Sequence, residues 1–360
     1  MLIALEAQRL FRQYKHGMDV VALELIKQLQ QIDKENEYVI LAAKGPDENC
    51  VSETANFKKQ IIGGLTYADW EQFSLPRFLK KIRPDLVHCT ANTAPLFSPV
   101  PLILTLHDII FLEEINFKGS AYQNFGNIYR RYVGPRVIRN AKKIITVSEF
   151  ERNVIVDKCK DAREKTEVVY NAVDKRFNTE YSTEEVNAFR AKYNLPQQFI
   201  LLLGNTAPKK NTPGAIKAYE HYRRISKDPL PMVIVDYNQQ SSDPDIVYPG
   251  YIPASEMPLL YNAASVFLYP SLRESFGMPI LEAMACGIPV ITSNTSAIPE
   301  IAGDAALLVN PADHVAIAES IEKIVASSEL INSLKQKGLA RASQFSWESS
   351  AKQLLSIYKS

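Results

Sequence analysis

The chain has 360 residues, of which 46% are hydrophobic, and a formal net charge of +1. This size and composition suffice for two ordinary globular domains, and the near-zero charge gives no indication of a nucleic-acid partner. The four cysteines are scattered without a CxxC pair, so we expect neither a disulfide framework nor a zinc site, and a reducing setting.

The first half of the chain alternates short apolar runs with helical periodicity, which is typical of an α/β fold with parallel strands. Apolar runs predict strands at 2–5, 38–42, 60–62, 86–89, 101–106, 143–147 and 168–170. Helical spacing predicts helices at about 20–29, 69–82 and 122–140, and another that begins at Glu149 with Ser148 as its N-cap. The run at 101–106 ends in His107, where catalytic side chains collect in such sheets.

A polar stretch from Lys175 to Asn194 precedes a second series of the same kind. Apolar runs predict strands at 199–203, 232–236 and 266–269. Helical spacing predicts helices at about 213–224, 256–262, 279–285 and 347–358. Pro279 is expected at the first position of its helix, where the missing N–H is tolerated. The alternation predicts a second α/β domain.

The loop after the strand at 266–269 carries the most informative residues. Gly277 lies in a tight turn, and the N–H groups near it and Met278 would sit at the positive end of a helix dipole, which favours a phosphate. Glu274 lies in the loop and Glu282 about one turn into the helix, so both carboxylates can face one crevice and accept hydrogen bonds from sugar hydroxyls. This arrangement suits a nucleotide diphosphate sugar.

A longer string of residues surrounds these positions. Glu274 and Glu282 form a Glu-x7-Glu pair, followed by Ala-Cys-Gly-Ile-Pro-Val-Ile-Thr-Ser-Asn at 285–294, Ile-Pro-Glu at 298–300 and Gly-Asp-Ala-Ala-Leu-Leu at 303–308. This string resembles the donor-binding segment of retaining GT-B glycosyltransferases of family 4, also called glycosyl transferases group 1. The resemblance covers most of the chain and implies an α/β fold of two doubly wound Rossmann-like domains facing across a cleft.

The resemblance also implies where the domains divide. The acceptor-side domain would comprise residues 1–175 together with the last helix, 347–360. The nucleotide-sugar domain would comprise 195–345, and 176–194 would be a crossing segment. The chain would then pass twice between domains, which suits closure around a ligand.

Three candidate catalytic residues follow from the resemblance: His107, Lys210 and Glu274. His107 would lie near the transferred sugar, Lys210 would neutralise the diphosphate as a compact cation, and Glu274 would orient the hexose. The family often has arginine where this chain has Asn205, and Lys209 is expected to compensate. Whether Glu274 acts as a nucleophile stays open, and we favour attack by the acceptor on the front face.

Further residues are implied in donor binding. They are Gly17, Gly204, Lys209, Lys210, Tyr251, Ile252, Glu274, Ser275, Phe276, Gly277, Met278 and Glu282. Glu282 would bind the ribose, and the backbone around Tyr251 and Ile252 would contact the base, which leaves UDP and GDP open. For Gly17 a flexible surface loop before a helix is an equal alternative, and for Lys210 the alternative is ordinary loop solvation.

Asp243-Pro244-Asp245 spells the Asp-x-Asp sequence with which a different glycosyltransferase fold holds a metal ion. In this context a turn is the better interpretation. We therefore expect no required metal and no cofactor, because Lys210 and helix amides would neutralise the leaving diphosphate.

The resemblance implies a retaining hexosyltransferase that moves a sugar from a UDP- or GDP-linked donor to a glycan or lipid-linked glycan, in cell-surface polysaccharide or glycolipid assembly. Mannosyltransferases are among its members. No apolar run has the length of a membrane span, so we expect a cytoplasmic protein, with peripheral contact at the inner membrane face left open. Two alternatives share the nucleotide site: a GT-B sugar-nucleotide epimerase or hydrolase, and a non-catalytic sugar-nucleotide binding protein.

Overall fold

The structure, a computed structural model, describes residues 1–113, 121–237 and 243–360, with the backbone alone for 121–123. Two compact units make up the chain: residues 1–171 together with 347–360, and residues 172–346. Residues 172–175, expected in the first domain, and 176–194, expected as a crossing segment, lie in the second unit. Within this stretch, a helix at Thr183–Lys192 packs against the helix Met257–Ala263 of that unit.

The first unit is built on a sheet of parallel strands. These are β1 (Leu2–Glu6), β2 (Glu37–Ala42), β3 (Phe57–Ile61), β4 (Leu86–Cys89), β5 (Leu102–Leu106), β6 (Lys143–Thr146) and β7 (Thr166–Val168). Their order across the sheet is β3-β2-β1-β4-β5-β6-β7. The order reverses between β1 and β4, where Glu6 lies opposite Cys89, and such switch points form the ligand crevice of open α/β sheets.

Helices connect these strands. They are α1 (Gly17–Ile32), α2 (Tyr67–Asp69), α3 (Leu75–Ile82), α4 (Ile110–Glu113), α5 (Ala121–Asn140) and α6 (Glu149–Lys158), with short 3₁₀ turns at Glu48–Cys50 and Lys160–Ala162. A π-helical segment, Trp70–Ser74, joins α2 to α3. Ser148 caps α6 as predicted, because its Oγ accepts a hydrogen bond from the Glu151 N–H at 3.1 Å.

The second unit repeats the same topology. Its strands are β8 (Ile200–Leu203), β9 (Met232–Val235), β10 (Ile246–Val247), β11 (Val266–Tyr269), β12 (Val290–Ser293) and β13 (Leu307–Val309). They are parallel in the order β10-β9-β8-β11-β12-β13, with a switch point between β8 and β11. Two Rossmann-like sheets of the predicted α/β class are therefore confirmed.

The helices of the second unit are α7 (Thr183–Lys192), α8 (Thr212–Ile225), α9 (Met257–Ala263), α10 (Met278–Ala285), α11 (Ile298–Ala302), α12 (His314–Val325) and α13 (Ser328–Ala342), with a 3₁₀ turn at Pro208–Lys210. The polar stretch before β8 thus contains α7, which begins at a capping box of Ser182 and Glu185. Helix α10 begins one residue earlier than predicted, so Pro279 is its second residue rather than its first.

The last helix, α14 (Trp347–Lys359), belongs to the first unit. Its apolar face, formed by Ala351, Leu354, Ile357 and Tyr358, is buried in a core shared with β1, β2 and α1. None of the helices in the described part of the chain is long and apolar enough to cross a bilayer.

Candidate functional site

Two loops meet at the switch point of the second sheet, and hydrogen bonds join them. The Leu272 N–H after β11 donates to the Lys209 carbonyl after β8 at 2.7 Å. The Asn211 Nδ2 donates to the carbonyls of Pro270 and Pro311 at 3.1 and 2.8 Å. These bonds set the position of Lys210, which lies between Lys209 and Asn211, against the loop that carries Glu274.

Lys210, Glu274 and Tyr269 form a closed polar triangle. The Lys210 Nζ lies 2.7 Å from Glu274 Oε1 and 2.7 Å from the Tyr269 hydroxyl, which itself donates to Glu274 Oε1 at 2.9 Å. Glu274 is 8% exposed. Because an ammonium group has three N–H donors, these two bonds leave one further Lys210 donor for an oxyanion.

The backbone of Glu274 is anchored by the loop after β12. The Glu274 N–H donates to Ser296 Oγ at 3.0 Å, and the Ala297 N–H donates to the Glu274 carbonyl at 3.2 Å. Ser296 has a positive φ of 56°, a conformation that non-glycine residues adopt uncommonly. The carboxylate is therefore held from both its backbone and its side chain.

Glu282, on α10, is hydrogen-bonded to a second tyrosine. The Tyr261 hydroxyl donates to Glu282 Oε2 at 3.0 Å, and burial raises the pKa of Glu282 to about 7. The ring of Phe267 contacts both tyrosines, at centroid distances of 5.3 Å from Tyr261 and 5.6 Å from Tyr269. Both glutamates are thus hydrogen-bonded to tyrosines of one aromatic row.

The start of α10 separates the two glutamates. Gly277 is the N-cap residue with φ of +101°, a conformation that favours glycine. The N–H groups of Gly277 and Met278 precede the first intrahelical hydrogen bond, and helix amides at this position can bind an anion. Phe276 is buried with its ring edge-on to Phe345 at 5.8 Å, and Ser275 Oγ lies 3.4 Å from Arg273 Nη1.

The other donor-binding candidates of this unit differ in exposure. Gly204 is buried at the end of β8, where a Cβ would lie 2.5 Å from Tyr237 Cβ, so it permits close packing against β9. Lys209 is exposed. Tyr251 is 67% exposed and Ile252 is 5% exposed, which leaves the tyrosine ring on the surface and places the isoleucine in the interior.

The Asp-x-Asp sequence is held by an arginine. Arg223 Nη1 lies 2.6 Å from Asp243 Oδ1 and 3.2 Å from Asp245 Oδ2, so one guanidinium engages both carboxylates. Within the described ranges, no group of three or more His, Cys, Asp or Glu side chains is placed to hold a metal ion. That the protein needs no metal or cofactor stays a prediction.

His107 lies in the first unit, directly after β5. Its backbone N–H donates to Asn92 Oδ1 at 2.7 Å, and its Nε2 lies 2.9 Å from the Thr90 carbonyl. Burial lowers the pKa of His107, which favours the neutral ring. Because a carbonyl can only accept, we assign the proton to Nε2, which leaves Nδ1 as the acceptor.

Gly17 is the exposed first residue of α1, next to a charged cluster at the end of β1. Asp19, in the first turn of α1, accepts a hydrogen bond from the His16 N–H and pairs with Arg9 Nε at 3.2 Å. Glu6 is 5% exposed, and burial raises its pKa to about 7. Gly17 therefore follows β1 at the switch point, whereas His107 follows β5, one strand beyond it, and contacts the loop after β4 through Thr90.

Several residues of these sites were not predicted. Tyr261, Tyr269, Glu6 and a buried Glu71 on the π-helical segment gave no motif signal. Glu6 and Tyr269 each end a central strand, so their place beside the switch points could have been found from the strand pattern. Nothing in the sequence indicates that Tyr261 reaches Glu282, or that Glu71 is buried.

Comparison with known proteins gives two family matches, one in each half. Residues 185–341 match the model described as "Glycosyl transferases group 1", and residues 16–177 match "Glycosyltransferase Family 4". These two ranges cover the Glu274 loop, Lys210 and His107.

Named relatives and one solved structure agree with these matches. The "O-antigen chain mannosyltransferase B" of Escherichia coli is 34% identical over 61% of this chain and 61% of its own length. The "Serotype-specific mannosyltransferase WbdA" of Escherichia coli is 28% identical over 70% of this chain and 32% of its own length. The chain therefore spans less than two thirds of these relatives. The structure titled "Crystal structure of Anabaena Alr3699/HepE in complex with UDP and glucose" shares the fold, with a TM-score of 0.75, 17% identity and 99% coverage of both chains.

Proposed function

This chain belongs to the GT-B glycosyltransferases of the family 4 type, and from the geometry of its second unit we propose that it transfers a hexose from a nucleotide diphosphate sugar to a hydroxyl of a glycan acceptor. The observation that carries the proposal is the triangle of Lys210, Glu274 and Tyr269 at the β8/β11 switch point. A cation with one remaining donor lies there beside a carboxylate that accepts hydrogen bonds from two groups, Lys210 and Tyr269.

Each part of this site has a separate task in the proposed reaction. The third N–H of Lys210 and the amides of Gly277 and Met278 bind the diphosphate, Glu274 orients the hexose, and Glu282 accepts hydrogen bonds from the ribose. Removing one such preorganised donor costs about 3 kcal/mol at the transition state. No step requires a metal ion, since the positive groups of the protein neutralise the departing charge.

The proposed chemistry exchanges one bond of the anomeric carbon for another. The bond from the anomeric carbon to the phosphate oxygen breaks, and a bond to the acceptor oxygen forms on the same face. The departing phosphate takes the acceptor's proton. Because the new bond forms on the face from which the phosphate leaves, the anomeric configuration is retained. On the basis of the family resemblance, we assign His107 a position near the transferred sugar.

Mannose is the first hexose to test, because two relatives are named mannosyltransferases. Their names also support a place in O-antigen or similar polysaccharide assembly. The base of the nucleotide is to be identified by thermal unfolding with UDP-, GDP- and ADP-sugars, since a ligand that binds the native state raises its unfolding midpoint.

The role of Glu282 is tested with the donor that this screen selects. Replacing a carboxylate that accepts from the ribose removes about 1.5–3 kcal/mol of binding free energy, so Glu282→Ala should weaken donor binding by at least tenfold and change kcat less. Isothermal titration calorimetry gives the Kd, and product analysis with and without acceptor separates transfer from hydrolysis or epimerisation.

The matched control is Glu319→Ala, an exposed glutamate on α12 of the same unit. Its donor affinity should stay within about twofold of the wild type, because exposed substitutions away from a site have small effects. Unchanged donor affinity in Glu282→Ala would contradict the ribose assignment.

A further inference from the structure

The first unit contains a pocket of about 300 Å³ whose wall combines arginines with aromatic rings. It lies between the loop before α1, the start of α2, the loop after β4, and α5. Its charged and aromatic lining residues are Arg9, Arg12, Arg130, Tyr67, Phe125 and Tyr129. Among the described residues that line it, there is no aspartate or glutamate. Since the whole chain has a net charge of only +1, this concentration of positive charge is local.

The guanidinium groups of these arginines have N–H donors that can bind a ligand. Arg9 Nε pairs with Asp19, but its Nη2 is buried and, within the described structure, has no hydrogen-bond partner. A buried donor without a partner is unfavourable by about 1–3 kcal/mol, so a ligand oxygen that accepts from this atom would be bound favourably. Arg12 is exposed at the pocket mouth, and Arg130 uses one Nη2 bond to Asn127 at 2.8 Å. Planar guanidinium groups suit phosphate and carboxylate oxygens.

Hydrogen bonds to Glu71 and from Gln72 hold the aromatic wall of the pocket in place. Tyr129 stands edge-on to Tyr67 at 5.7 Å and stacks with Phe125 at 6.3 Å. The hydroxyls of Tyr129 and Tyr67 donate to the buried Glu71 at 2.5 and 3.0 Å, and Gln72 Nε2 donates to the Tyr129 hydroxyl at 2.7 Å. Glu71 and Gln72 both lie on the π-helical segment, a local irregularity that often marks functional sites. Ordered aromatic faces of this kind can pack against the apolar face of a sugar ring.

The pocket also leads toward the candidate catalytic histidine. Arg9, Met18, Tyr67 and Ala91 line both this pocket and a smaller cavity that reaches Glu6 and Thr90. The carbonyl of Thr90 accepts from His107. The wall that carries Arg9 and Tyr67 is therefore shared between the pocket and the surroundings of Glu6 and Thr90, and Thr90 contacts His107.

We propose that this pocket binds the acceptor, and that the acceptor is an anionic saccharide whose phosphate-type oxyanion lies on Arg9, Arg12 and Arg130 while a sugar ring packs on the Tyr67–Tyr129 wall. This inference rests on the proposed transferase function, for which it names the acceptor class. The oxyanion can belong to a phosphate on a water-soluble glycan or to a diphosphate that carries a lipid.

The test measures binding of three probes to the full chain by titration calorimetry: methyl mannoside, mannose 1-phosphate, and mannose diphosphate on a short prenyl chain. Charge-assisted hydrogen bonds should make mannose 1-phosphate bind at least about tenfold more tightly than the neutral glycoside. The double variant Arg12→Gln/Arg130→Gln should lose that preference. Arg136→Gln, an exposed arginine of α5 outside the pocket, removes a charge from the same helix and should keep it.

The donor site is excluded as the source of binding by a separate variant. Lys210→Ala should bind mannose 1-phosphate as the wild type does, so failure of the acceptor pocket and failure of the proposed donor site give different results. Higher affinity for the prenyl-linked mannose diphosphate than for mannose 1-phosphate supports a lipid-linked acceptor. Equal affinity for the two supports a soluble phosphorylated acceptor.

Three results would overturn the assignment. The first is equal affinity for methyl mannoside and mannose 1-phosphate. The second is an equal loss of the preference for mannose 1-phosphate in Arg136→Gln and in the double variant. The third is loss of mannose 1-phosphate binding in Lys210→Ala. Thermal unfolding of each variant verifies that the fold is intact, which is expected because Arg12 is exposed.

Discussion

Buried carboxylates set the electrostatics of both switch points. Glu6 ends β1, and its Oε1 accepts the Gln8 N–H at 2.8 Å. Burial raises the pKa of Glu6 and of Glu282 to about 7 each. A carboxyl group with a raised pKa is easier to bury in its protonated form, so each of these groups binds a proton more tightly in the native than in the unfolded state.

Replacing Glu6 with glutamine should change how the free energy of unfolding depends on pH. Native Glu6 titrates near pH 7 against a reference pKa of 4.5, so its contribution to stability is fully present below about pH 4.5 and is lost as the pH rises to about 7. The variant cannot titrate there. The free energy of unfolding of the wild type relative to Glu6→Gln should therefore fall by about 1–3 kcal/mol across that window.

Guanidinium unfolding at a series of pH values measures this difference. Glu37→Gln, which changes an exposed carboxyl at the start of the neighbouring β2, serves as the control and should show no such trend. A difference between wild type and Glu6→Gln that is constant with pH would show that Glu6 is not a buried proton-binding group.

At the scale of elements, α14 shows how a helix remote in sequence completes a core. Its Tyr358 hydroxyl lies 2.7 Å from His88 Nδ1, and His88 Nε2 lies 2.7 Å from Thr105 Oγ1. Burial lowers the pKa of His88 to about 3, so the ring stays neutral and links α14 to β4 and β5. Leu354 is 2% exposed in the same core.

Leu354→Ala should therefore destabilise the first unit by about 2–5 kcal/mol, through lost burial and the cavity that remains. Lys352→Ala, on the exposed face of α14, should change stability by less than about 0.5 kcal/mol. Chemical unfolding followed by tryptophan fluorescence measures both. A loss below about 1 kcal/mol in Leu354→Ala would mean that α14 contributes little to the core.

For the whole molecule, two units with separate cores need not unfold as one. The chain has two tryptophans, Trp70 and Trp347, and both belong to the first unit. Selectively excited tryptophan fluorescence therefore reports on the first unit, whereas far-ultraviolet circular dichroism reports on both. The two signals together can assign a transition to a unit.

Gly204→Ala tests this separation. A Cβ at Gly204 would lie 2.5 Å from Tyr237 Cβ and 2.8 Å from Ile234 Cγ2, and overpacking of this kind costs about 1–3 kcal/mol. The variant should lower the midpoint of one circular dichroism transition and leave the midpoint of the tryptophan fluorescence transition unchanged. The donor nucleotide sugar should raise the midpoint of that same circular dichroism transition. Equal shifts of both signals would show that the units unfold together.

The sequence alone determined the fold class and the approximate positions of many elements, because apolar runs and helical periods are local signals. It placed β4 and β11 at their observed residues and predicted the Ser148 cap. It failed for α7, whose polar, amphipathic residues resemble a connecting segment, and it predicted no element between α10 and α14. It also started β3 three residues and β7 two residues too late. Weakly apolar edge strands define their ends through pairing with a neighbour rather than through composition.

For the candidate site, too, some residues could be predicted from the sequence, whereas other contacts appear only in the structure. Glu274, Glu282, Lys210 and His107 could be predicted from the sequence because each lies at a recognisable strand end or motif. Only the tertiary structure could show that Tyr269 and Tyr261 hold the two glutamates, or that Glu71 orders the aromatic wall beside three arginines. These contacts join residues from different loops and helices, and their geometry exists only once the parallel sheets bring the carboxyl ends of the strands to one edge.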